Sequence, residues 1–258
     1  MALSWSTGLR DFTNNHGSYQ QALNGGIIEI RTGSAPATAD AAATGTLLCT
    51  VSLASASVTK EVLSQGSITI SGSSGTVNSI KVNGCEILGT AVTFTTDLTT
   101  TAALVATQIN QYIPPTGVKY MATSSGAVVT IKALYGCGTT PNGYEILATS
   151  TTLTIAATSG MGTSAAGVLG SGGLTYGATT AGIMSKVGVW SGVNVATGVA
   201  GYFRILAGVL DAGAASTTAI RVQGACGISS GDYPMTSTTL TSGQTHTIDT
   251  FSLTLPGA

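Results

Sequence analysis

Apolar residues along this chain recur mostly at every second position, in short runs separated by clusters of Gly, Ser, Thr and Asn. That pattern predicts a mainly β protein. Ile27, Ile28 and Ile30 flank Glu29 and Arg31 in a first short strand. Residues 46–53, TLLCTVSL, alternate so that Leu47, Cys49, Val51 and Leu53 share a face. The Gly, Pro, Ala and Asp of the intervening TGSAPATADAAATG mark a loop. Runs at 67–70 and 79–82 are β-branched and joined by turn-forming residues ending at Gly75. Asn83-Gly84 is a strong hairpin signal. Further strands are expected at 90–95, 118–122, 127–133, 144–148 and 153–156. One segment changes period. Ala102, Val105, Ala106, Ile109 and Ile113 recur at helical spacing and predict a helix at about 99–113, capped by Asp97 or Thr99 and stopped by Pro114-Pro115.

The two flanks of this middle block read differently. Residues 1–24 hold only isolated apolar positions and read as an extended N-terminal arm that orders against a neighbour. Trp5, Phe12 and Tyr19 in it are candidate anchors into a partner, where aromatics dominate binding energy; the alternative is packing on the protein's own surface. On this view, deleting residues 1–20 leaves the fold intact. Residues 158–182, mostly Gly, Ser, Ala and Thr, read as a linker or long loop. Strands then resume. Val187, Val189, Val193 and Val195 fall on one parity, and runs at 201–207, 218–223 and 245–255 follow. In the last, Ile248, Phe251, Leu253 and Leu255 form an apolar face with one register break.

Composition sharpens the picture. Of the 258 residues only 7% are charged and 35 are Gly, against roughly 25% charged in an ordinary globular protein. A soluble monomer keeps apart from its neighbours with a charged surface. A surface of Thr, Ser, Gly and Ala suits dense packing against other subunits, so an assembly subunit is expected over a secreted protein with a neutral coat. The net charge is −1 and the nine basic residues are scattered singly. Nucleic-acid binding needs them clustered against phosphates, so no nucleic-acid partner is expected. The uncharged stretch 187–203 is shorter than the ~20 apolar residues of a membrane-spanning helix. It contains Ser191, Asn194 and Thr197 and reads as strands, with no membrane partner. The opening MALSWSTGLRDF lacks a basic segment followed by an apolar one, so no secretory leader is expected.

Candidate chemistry is sparse. No enzyme activity, cofactor or metal is expected. His16 falls in the arm, and His246 reads as an exposed strand residue. A Ser-His-Asp set could be named with His246 and Asp249, but no Ser stands in a G-x-S-x-G elbow. Ten acids spread thinly among few aromatics argue against a glycosidase. Gly170-Ser171-Gly172-Gly173 lacks the Gly-Lys-Ser/Thr ending of a phosphate loop. Asp40, Asp97, Asp211 and Asp232 lack the spacing of a calcium loop and read as turn or cap residues. Cys49, Cys85, Cys137 and Cys226 form no C-x-x-C pair. They read either as small buried hydrophobes or as disulfide partners within or between chains.

GGIIEIRTGSAPATADAAATGTLLCTVSL resembles the opening of a family of small structural proteins of tailed bacteriophages. NVATGVAGYFRILAGVLDAG and the closing TSGQTHTIDTFSLTLPG are similar to that family's second half. Between them, SITISGSSGTVNSIKVNG through NGYEILATSTTLTI resembles a small α/β module of phage tail proteins. The resemblance covers most of the chain beyond residue 24, on low-complexity motifs. It implies an antiparallel, jelly-roll-like β-sandwich from 25–62 plus 172–258, with a small α+β domain inserted at 63–171. Insertion at a loop tip is tolerated because its ends lie close together. The cysteines then sort as Cys49 with Cys226 and Cys85 with Cys137. The implied role is a virion component made in the host bacterial cytoplasm. First comes a capsid decoration or cement protein that binds the major capsid protein or other virion proteins, as a homo-oligomer and by analogy a trimer. A tail, neck or fibre component is the alternative. A carbohydrate-binding adhesin module is a third and would need clustered exposed aromatics.

Overall fold

The structure, a computed structural model, describes residues 3–228 and 230–254, with the side chains of 157–159 left aside. Among the described residues the protein is mainly β, 41% strand and 11% helical with three helices, in sheets whose strands pair antiparallel but for one parallel pair. Contacts divide it into two units, Met1–Glu61 with Gly170–Ala258, and Val62–Leu169.

The first unit begins with β1 (Ser4–Trp5), α1 (Thr7–Asn15), α2 (Tyr19–Leu23), β2 (Ile27–Thr32) and β3 (Leu47–Leu53). The second unit holds β4 (Gln65–Ser71), β5 (Thr76–Val82), β6 (Cys85–Glu86), β7 (Val92–Thr93), α3 (Leu98–Gln111), β8 (Met121–Ser125), β9 (Val128–Lys132), β10 (Ile146–Thr151) and β11 (Thr154–Ser159). The chain then returns to the first unit with β12 (Thr175–Tyr176), β13 (Ile183–Val187), β14 (Trp190–Val193), β15 (Gly198–Leu206), β16 (Arg221–Ile228), β17 (Tyr233–Met235), β18 (Thr239–Leu240), β19 (Thr245–Ile248) and β20 (Ser252–Thr254).

In the first unit one large sheet runs β1-β16-β15-β2-β3-β14-β19, with β17 on β16 and β18 on β15. A smaller sheet runs β12-β13-β20. Along β15 successive residues face opposite ways. Phe203 meets an aromatic cluster in which Tyr176, Trp190, Tyr233 and Phe251 pack edge-on or tilted, with centroids 4.9–6.2 Å apart. Such pairs add about 0.5–1.5 kcal/mol beyond the area they bury. Arg204, the next residue, faces the loop 33–46 and is fully buried. The register break expected near the end of the chain lies between β19, which pairs with β14, and β20, which pairs with β13. Ile248, Phe251 and Leu253 are buried, and Leu255 lies outside the described residues.

Two expectations for this unit are corrected. Residues 3–24, the described part of the expected arm at 1–24, are not an extended arm. Ser6 caps α1 by accepting from Leu9 N–H at 3.2 Å, and Leu9 and Phe12, three apart on one helical face, are buried. Trp5 pairs with Val222 as β1 joins the sheet edge. Deleting residues 1–20 would therefore strip part of the fold. The stretch 158–182 is not a free linker either. Thr59 and Ser171 bridge antiparallel, and Leu174 exchanges backbone hydrogen bonds of 2.8 Å with Gly25 and Gly26. A Cβ on Gly173 would stand 2.0 Å from the Gly25 carbonyl, so only Gly permits this approach. The low-complexity sequence hides the seam because backbone makes most of it.

In the second unit, β11-β4-β9-β8 and β10-β5-β6 form two sheets, with β7 on β5. Asn83 and Gly84 take φ of 49° and 78°, the turn that Asn-Gly favours, and join β5 to β6. Asp97, not Thr99, caps α3, accepting from Thr100 N–H at 2.7 Å. Ala102, Val105, Ala106 and Ile109 are buried in one core with Ile68, Ile80, Val129 and Ile131. Ile113 lies past the helix end and is exposed. Asn110 of α3 both donates to and accepts from the backbone of Ala122, at 2.9 and 2.8 Å, tying the edge strand β8 to the helix. Val62 and Val168 bond reciprocally at 3.1 and 2.9 Å, which closes the unit where the chain enters and leaves it.

Candidate functional site

The most distinctive side-chain arrangement in the first unit is buried and charged. Arg204 donates to Gln223 Oε1 at 2.6 and 3.2 Å and to the Ala41 carbonyl at 3.0 Å. Gln223 in turn donates to the Pro36 carbonyl at 2.7 Å. Arg221 forms a two-pronged pair with Asp211, both contacts 2.6 Å, and donates to Ala214 O at 2.7 Å. The Tyr202 hydroxyl donates to Thr44 O at 2.6 Å and accepts from Thr44 N–H at 3.0 Å. Burial raises the Asp211 pKa, but hydrogen bonds from Arg221 and the Gly213 N–H outweigh it, and the net direction is down. These side chains satisfy the carbonyls of a loop that has no strand partner. The chemistry is structural: two of the nine basic residues are spent inside.

Across the aromatic cluster lie two adjoining clefts of about 590 and 400 Å³ that share Tyr233, Pro234, Asp249 and Thr250. Lys186 and Asp232 line the larger, and Asn194 and His246 the smaller. Tyr233 Oη lies 2.9 Å from His246 Nε2. Burial raises the Tyr233 pKa first, helped by Cys226, Asp249 and Cys49, so the phenol keeps its proton. Burial lowers the His246 pKa against the opposing pull of Asp249. His246 is thus not the exposed strand residue expected: it is half-buried and ties β19 to β17. Its Nε2 serves a phenol rather than a serine.

The second unit has a largely apolar cavity of about 440 Å³, walled in part by Cys85, Tyr120, Cys137 and Tyr144. Burial, with smaller contributions from Tyr144, Cys137 and Cys85, pushes Tyr120 up to about 12.

The residues singled out from sequence fall as follows. Trp5 and Tyr19 pack on each other at 5.3 Å, edge to face. Both are half-buried, and Phe12 is buried. The three take part in the protein's own N-terminal packing, the alternative to partner anchors that the sequence left open, and they sit on folded elements rather than in a loose arm. All four cysteines are thiols, with no disulfide between Cys49 and Cys226 or between Cys85 and Cys137. Burial pushes Cys49 up to about 11, and burial with Asp232 pushes Cys226 up to about 12. Asp97 is a helix cap, as expected, and Asp211 is an ion-pair partner. The four Asp do not gather, and no group of three or more His, Cys, Asp or Glu able to hold a metal occurs among the described residues. No helix among them is long and apolar enough to cross a membrane.

Sequence reasoning missed the solvent-facing valines. Val189, Val193, Val195 and Val199 are 51–61% exposed, whereas Trp190 between them is fully buried. Val189, Val193 and Val195 share a parity, but Ser191 of the same parity is buried, so their exposure is not a property of one strand face. Comparison with protein-family models, with curated proteins and with solved structures finds no match to this chain.

Proposed function

We propose that the protein is a structural component of a tailed-bacteriophage virion, a capsid decoration or cement protein that binds the assembled shell and stabilises it, without enzymatic activity. The observation that carries this reading is the set of exposed valines at 189, 193, 195 and 199, flanking and ending β14 and opening β15, in a chain with only 7% charged residues. Interface cores are depleted of charge, and contiguous exposed apolar surface marks contact with other protein. Burial of Arg204 and Arg221 thins the remaining surface charge further. The sequence resemblance to phage structural proteins points the same way. A jelly-roll-like sandwich for the first unit belongs to the same proposal, supported by its large sheet and the aromatic core against it. So do assembly as a homo-oligomer, trimeric by analogy, and residence in the virion.

The test is add-back to particles that lack the protein. Wild type should bind and raise the temperature at which the shells release their contents. A Val193→Lys, Val195→Lys double variant should fold normally but lose about tenfold or more in affinity, since burying an unpaired charge costs a few kcal/mol. Equal binding by the two would contradict the valine contact. Absence of binding by wild type would contradict the role.

A further inference from the structure

The cavity in the second unit holds a feature that the proposed role leaves unused. Cys85 opens β6 just past the Asn83-Gly84 turn. Cys137 lies in the turn-rich segment between β9 and β10, where its carbonyl accepts from Thr140 N–H at 3.2 Å. The two thiols are 52 residues apart in sequence, yet they wall the same cavity of about 440 Å³. Both are half-buried. The turn and the segment are also fastened nearby: Asn83 N–H donates to Glu145 O at 2.9 Å, and Val82 pairs with both Cys85 and Ile146. Burial raises the pKa of both Cys49 and Cys226, which keeps them as unreactive thiols.

We propose that Cys85 and Cys137 are a redox-sensitive thiol pair that closes into a disulfide across this cavity when the protein meets a low-molecular-weight disulfide such as oxidised glutathione. One thiolate attacks a sulfur of oxidised glutathione, forming a mixed disulfide and releasing one glutathione thiolate. The second cysteine thiolate attacks the protein sulfur of that mixed disulfide and releases the other glutathione. The leaving thiolates take up the two protons the cysteines lose. The net change is two cysteine thiols plus oxidised glutathione giving one protein disulfide and two reduced glutathiones. Chains made in a reducing cytoplasm would carry the thiols, and chains released into an oxidising medium would carry the staple. The bond would hold the 133–145 segment against the β5–β6 turn.

The test uses the full chain, purified reduced, incubated with oxidised glutathione at pH 8, acid-quenched, then unfolded in denaturant, alkylated and mapped by mass spectrometry. The expected product has lost two hydrogens, keeps two alkylatable thiols at Cys49 and Cys226, and yields a linked Cys85–Cys137 peptide. Cys85→Ser and Cys137→Ser should each instead retain one glutathione on the remaining partner. The oxidised wild type should unfold at higher temperature than the reduced protein, because the bridge shortens the unfolded chain's reach. Four alkylated thiols after oxidation, stable glutathione on both Cys85 and Cys137, or a bridge that joins two chains would each overturn the proposal. The wild-type map decides it even where a serine variant does not fold.

Discussion

At the residue scale, buried polar groups carry the sharpest consequences. Arg221 is 1% exposed and its partner Asp211 8%. Arg221→Ala leaves the Asp211 carboxylate without its counter-ion, with only the Gly213 N–H still donating to it, and takes the donor from the Ala214 carbonyl, so it should cost about 3–5 kcal/mol in denaturant melts. Replacing the pair with an apolar one of similar volume should cost far less. Trp190→Ala, which removes the largest fully buried side chain of the aromatic cluster, should cost about 3–5 kcal/mol. His246 gives a pH signature. Its folded pKa lies below its ordinary 6.5, so the folded state disfavours the proton that the unfolded chain accepts. Its contribution is fully present above pH ~6.5 and is lost as pH falls through the lowered folded value. His246→Gln should flatten that part of the stability profile measured by thermal melts. None of these roles was legible in sequence. Arg204 and Arg221 look like any scattered basic residues, and only the fold shows that they bond to a loop some 160–180 residues earlier.

At the element scale, local signals served well where a side chain or turn acts within a few residues. The Asn83-Gly84 hairpin, the α3 face and its Asp97 cap, and the core strands of both units were readable, because period and turn chemistry decide them. The N-terminal helices were not. α1 has nine residues and α2 five, too short to stand without tertiary packing, and their apolar positions are few. Ser6 shows how the tertiary fold holds them. Its Oγ accepts from Leu9 and Arg221 N–H and donates to Ala219 O. Ser6→Ala removes the cap and strands a buried Arg221 N–H, so about 1–3 kcal/mol should be lost in the same melts. A neutral result would mean that α1 is not secured by this contact.

At the scale of the whole molecule, the chain is two β units, one inserted in the other. The second has its own core, and Val62 and Val168 close its ends. Residues 62–169 expressed alone should therefore show dispersed amide signals and a cooperative melt; a molten or unfolded product would contradict that. The proposed particle role rests on the exposed valines of the first unit and on the 7% charged residues of the whole sequence. The most direct measurement of that claim is the amount of this protein in purified virions, relative to the major capsid protein, by quantitative mass spectrometry. Decoration predicts hundreds of copies per particle. A few copies would move the protein to the tail or neck, and its absence from particles would contradict the account.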